Sequence, residues 1–97
     1  SGINNLEAKT YATYKKKYFT KLKPIRAKLI AKQAALAAEL ASSLNDGEKA
    51  LVTRIIKTIG FNYQRIKLIE GILTSKTLDE MIPMLNTYEG LITSQLA

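Results

Sequence analysis

The 97-residue chain contains no cysteine, no histidine and no tryptophan. Those absences remove disulfides, thiolate nucleophiles, Cys/His zinc sites, Ser-His catalytic pairs and haem ligation by either residue. No apolar run approaches the roughly 18 residues that a membrane-spanning helix needs. Phosphate-cradling loops are missing too, because Gly60, Gly71 and Gly90 each stand alone inside a helical pattern. The eight acidic residues are scattered; only Asp79 and Glu80 are adjacent, and they fall in the first turn of a helix, where acids favour the dipole. Together these gaps argue against an enzyme and against a bound metal, cofactor or small-molecule substrate.

What remains is an ordinary globular composition, with 46% hydrophobic and 24% charged residues, far from the apolar-poor signature of disorder. A chain of this length supports one modest core, so residues 1–97 read as a single domain. Ser1 in place of Met suggests processing or an added remnant, with residues 1–4 outside the folded part; a removed signal peptide would fit, and the compartment is not indicated.

Positive charge is concentrated at one end. Residues 1–32 hold Lys9, Lys15, Lys16, Lys17, Lys21, Lys23, Arg26, Lys28 and Lys32 against Glu7 alone, a net of +8, whereas residues 33–97 net −1. Such a segment suits contact with an acidic protein, with phosphates or with an anionic membrane surface.

Apolar residues recur every three or four positions and nowhere alternate with period two, which specifies an all-α fold. One stripe runs Tyr11, Tyr14, Tyr18, Leu22, Ile25, Leu29, Gln33, Leu36, Leu40, Leu44. A second runs Leu51, Ile55, Ile59, Asn62, Ile66, Ile69, Leu73, and a third Leu78, Ile82, Leu85, Tyr88, Ile92, Leu96. Turn chemistry lies between them at residues 45–47, where Asn45 or Asp46 is expected to cap the next helix with Glu48, and at 74–77, where Thr77 and Glu80 have capping-box spacing. Antiparallel reversal at these turns pairs residues whose numbers sum to about 91 and about 151, setting Leu22 against Ile69, Ile25 against Ile66 and Leu85 against Ile66. That offset predicts an antiparallel bundle.

Pro24 allows two architectures. Either it kinks one long first helix, or residues 21–23 form a turn with Pro24 at the start of a new helix, giving a four-helix up-down bundle. The absence of Gly, Asn, Asp or Ser near Lys21 and a stripe that keeps phase through Pro24 favour three long helices, the first kinked. On that reading the second helix runs out opposite Tyr18 and leaves Tyr11 and Tyr14 uncovered. A second proline, Pro83, is expected to bend the last helix.

The candidate partner-binding residues are therefore Lys9, Tyr11, Tyr14, Lys15, Lys16, Lys17 and Lys23. Lys9, Lys16 and Lys23 are seven apart and form one ridge, drifting only about 20° per heptad. The Tyr residues share the apolar stripe, so aromatic and cationic faces differ, and base stacking would require unburying the rings. Gln33 and Asn62 interrupt apolar stripes and form an expected core polar layer that sets register, with a hydrogen bond between them feasible. The three interior glycines, each costing about 1 kcal/mol relative to Ala, are expected to mark close helix packing, with the Ala31 to Ala41 stretch as a partner surface.

In size, charge and helical build the chain resembles small basic bacteriocin-immunity bundles. Its long Pro-containing helix resembles periplasmic helical-hairpin chaperones, whose Leu-Thr-x-x-Gln signature it lacks. Both are likenesses of architecture. The expectation is a non-enzymatic interaction protein whose basic first helix engages an acidic protein or another copy of itself. The alternatives are sequence-nonspecific nucleic-acid binding and binding to an anionic membrane surface.

Overall fold

In a computed structural model describing residues 2–96, and side chains from residue 9 to residue 94, the chain forms three helices. They are α1 (Gly2–Asn45), α2 (Lys49–Thr74) and α3 (Leu78–Leu96), each packed against the others as an all-α bundle. Helix α1 takes in residues 2–4, which the start at Ser1 suggested lay outside the fold. At 1.5 Å per residue, 44 residues extend about 66 Å, matching the 64 Å long axis of the molecule.

Pro24 lies inside α1, so the alternative turn at residues 21–23 does not form and the bundle has three helices among the described residues. Two features account for this. Leu22 is 2% exposed and belongs to the core cluster with Ile69, a position a turn would forfeit. Thr20, whose carbonyl loses its usual donor to proline, is exposed, so water can satisfy that oxygen. Continuity, rather than the expected kink, is what the structure establishes here. Helix α3 likewise continues through Pro83.

Both reversals fall at the expected places, but the first works differently from its sequence reading. Neither Asn45 nor Asp46 caps α2, whose N-cap is Glu48 without a side-chain hydrogen bond. Instead Gly47, at φ 69°, ends α1 in a Schellman motif: the Gly47 amide donates to the Leu44 carbonyl at 3.2 Å and the Glu48 amide to Ser43 at 3.0 Å. Gly47 relieves the steric cost any other residue would meet at that φ. At the second reversal Thr77 Oγ1 accepts from the Glu80 amide at 3.2 Å, while Glu80 Oε2 accepts from the Lys76 amide at 2.8 Å, one residue before the reciprocal partner of a standard capping box.

The core forms where the stripes of α1 and α2 meet α3. Leu22, Leu29, Ile66, Ile69, Ile72, Met81 and Leu85 make one buried cluster, with Tyr11, Tyr14, Tyr18, Phe19, Ile25, Leu73, Met84 and Tyr88 packed around it. The expected facing sets of α1 and α2 recur in it. Helix α3 packs through Leu85 and Tyr88 as expected but exchanges one member of its stripe: Met81 is fully buried, whereas Ile82 is 39% exposed. A Cβ at Gly71 would fall 2.6 Å from Met84 Sδ, so the missing side chain makes room for Met84 to pack against the core. Close packing is thus realised at Gly71. At Gly60 and Gly90 it is not, since a Cβ at either would meet nothing within 4 Å.

Candidate functional site

The basic half of α1 presents its lysines to solvent. Lys9, Lys15, Lys16, Lys17, Lys21, Lys23, Lys28 and Lys32 are all exposed. Among the described residues the one ion pair is Arg26 with Glu70, at 3.4 Å and about 40% exposed on each side; such an exposed pair contributes about 0 to 1 kcal/mol. Lys9, Lys16 and Lys23 lie opposite the buried stripe, each step of seven residues rising about 10.5 Å. Lys15 and Lys23 stand over the Phe19 ring at 5.6 and 6.0 Å from its centroid, and Lys17 over Tyr18 at 5.3 Å. These contacts hold the cations near the helix without neutralising them.

The tyrosines take the core position that their place on the apolar stripe implies, and none of the overhang expected for Tyr11 and Tyr14 is seen. Tyr11 and Tyr14 are half-buried and pack against the core. Tyr11 Oη donates to the Ser75 carbonyl at 2.6 Å, and Tyr14 meets Tyr18 edge-on with centroids 5.9 Å apart. Pairing helix against helix left these rings uncovered because it ignored the 75–77 connection, which carries the covering surface past the end of α2. The overhang argument for Tyr11 and Tyr14 therefore fails.

In the polar layer Asn62 is 5% exposed and Gln33 half-buried, but they do not bond to each other. Gln33 Nε2 donates to the Ile59 carbonyl at 3.1 Å, leaving Gln33 Oε1 and Asn62 Nδ2 buried without a hydrogen-bond partner.

One feature escaped the sequence reading altogether. Helix α3 packs chiefly on α2 and approaches α1 at few points, so a cleft of about 470 Å³ opens between α1 and α3, with Leu22, Ile25, Leu85 and Ile92 among its apolar walls. A second depression continues along α1 past Leu29, Ala31 and Ala35; Ile25 and Arg65 line both. Arg65 is held between Phe61 and Tyr88, its guanidinium carbon 5.9 and 6.0 Å from the two centroids, and Nη2 donates to Tyr88 Oη at 3.4 Å. Its Nε is buried with no partner. Lys21, Lys28 and Lys32 edge the same groove, against Glu89 as the acid that lines it. The signal was present in the spacing, since Phe61 and Arg65 are one turn apart on α2, but stripe matching does not report how far two helices splay.

Among the described residues no three His, Cys, Asp or Glu converge to hold a metal ion, and no helix is long and apolar enough to cross a membrane. No protein-family model, curated protein or solved structure matches the chain.

Proposed function

We propose that the protein is a non-enzymatic interaction module that uses the basic half of α1 to engage an acidic protein surface. The observation that carries this reading is the row of exposed lysines from Lys9 to Lys32, none of which is in an ion pair among the described residues. Pairing this face with itself would set +8 against +8, so self-association through α1 is unfavourable. The aromatic rings of α1 are engaged internally, which withdraws the apolar surface that a membrane-interface helix would insert and the platforms that nucleobases would stack on. Nucleic acid would then be held by phosphate contacts alone.

The test is a pull-down from the source cells with wild-type protein and the K9E/K16E/K23E variant, followed by reconstitution with the purified partner. An acidic protein retained by the wild type and released by the variant is the expected result. A nuclease-sensitive partner would favour the nucleic-acid reading, especially if log K falls by about 0.9 per phosphate with log salt.

A further inference from the structure

The geometry points to the groove between α1 and α3 as the docking site for an acidic amphipathic helix of the partner, seated as a fourth helix of the bundle. The inference rests on the proposed function and adds where the partner binds and what it looks like.

The groove has the length and chemistry for such an occupant. Its α1 wall runs from Tyr18 to Ala35, about 25 Å at 1.5 Å per residue, or some four to five turns of a partner helix. The floor is aliphatic, including Leu22, Ile25 and Ile92, and suits apolar residues recurring every three or four positions on the ligand. Lys21, Lys28 and Lys32 fall along one flank of α1 over about 16 Å, and Arg65 supplies a cation at the point where the two depressions join. None of these four cations is in an ion pair among the described residues. The burial of Arg65 Nε without a partner leaves a fixed positive group whose cost an incoming carboxylate at the guanidinium would offset. Small, exposed Ala31 and Ala35 keep the far half of the groove open. The groove is long and open rather than enclosed, which favours a helix over a small molecule.

The experiment compares two blocked synthetic peptides of about sixteen residues, both with Leu at helical i, i+3, i+4 and i+7 spacing. One carries Glu at the flanking positions and the other Lys. Titration into the full chain is followed by calorimetry and by amide chemical shifts. The Glu peptide should bind about tenfold or more tighter than its Lys twin, with shifts centred on Ile25, Arg65, Tyr88 and Ile92. Ala31→Phe fills the groove from an exposed position at constant charge and should weaken binding about tenfold, and K28E/K32E should do likewise; the melting temperature of each variant reports that the fold is kept. K9E/K16E/K23E lies on the opposite face, beyond about one Debye length at physiological salt and out of reach of a peptide seated in the groove, and should change peptide affinity little; release of the whole partner by that variant reports the contacts the partner makes outside the groove.

Failure of the Glu peptide to bind would overturn the groove assignment. So would wild-type affinity in Ala31→Phe together with loss in K9E/K16E/K23E; that pattern leaves the proposed function standing with the ridge as its surface. Retention of the reconstituted partner by Ala31→Phe would also overturn it. A chain that sediments as a dimer and becomes monomeric on Ala31→Phe would make the occupant a second copy and refute the acidic partner helix.

Discussion

Replacing Gly60 or Gly90 by alanine should stabilise the protein. Both lie in helix interiors, in α2 and α3, and a Cβ at either meets nothing within 4 Å. No packing cost therefore opposes the backbone gain, and a helical glycine is worse than alanine by about 0.5 to 1 kcal/mol because it loses more conformational freedom on folding. In a domain of this size, 1 kcal/mol moves the melting temperature by about 4 to 8 °C, so each variant should melt about 2 to 8 °C higher. Gly71 provides the contrast. There the new Cβ would sit 2.6 Å from Met84 Sδ, well inside ordinary contact, so Met84 must move; overpacking of about 1 to 3 kcal/mol opposes the helix gain, and the net should be neutral or destabilising. Urea titration followed by far-ultraviolet circular dichroism measures all three variants, with an unchanged m-value showing that the unfolding reaction is the same. A loss of stability in Gly60→Ala or Gly90→Ala would refute the reasoning. If that loss deepens with protein concentration, the space beside the glycine is filled by another copy of the chain.

Three further outcomes follow from the packing. Ile69 is completely buried and Ile66 is 8% exposed, so Ile69→Ala should cost about 2 to 5 kcal/mol and more than Ile66→Ala in urea melts. Asn62→Leu removes a buried amide whose Nδ2 has no partner; relief of about 1 to 3 kcal/mol, partly offset by the larger side chain, should leave the melting temperature unchanged or raised. A loss above about 1 kcal/mol would place Asn62 in a hydrogen-bond network. Tyr11→Phe deletes the hydroxyl that reaches the Ser75 carbonyl and should cost about 0.5 to 1.5 kcal/mol in thermal melts; no change would mean that Tyr11 contributes only its ring.

Much of the fold was legible because helix period and turn chemistry act locally. The three stripes, the reversals near residues 45–47 and 74–77 and the burial of Asn62 all follow from spacing along the chain. Apart from the cap at residues 45–48, the misses depend on angles and connections that no single helix encodes. Met81 rather than Ile82 faces inward, and Met84 packs into the space left by Gly71 on a different helix. Tyr11 finds its acceptor in a connection, which helix-to-helix pairing does not count. The Lys ridge was readable from sequence as a row of like residues, whereas the Arg65 groove depends on α3 leaning away from α1 and could not be read from any one stripe.

The asymmetry of charge on a 64 Å rod also bears on how fast this molecule meets other molecules. With +8 in residues 1–32 and −1 in the remainder, the excess charge is strung along one helix over most of the rod's length. The first turn of α1 has no acidic residue, so the partial positive charge of its N-terminus adds to the lysines. An approaching anionic surface exerts a torque on such a rod and turns the α1 side forward before contact. Association should then be accelerated at low ionic strength and slow sharply as salt screens the field, while dissociation, set by short-range contacts, changes much less.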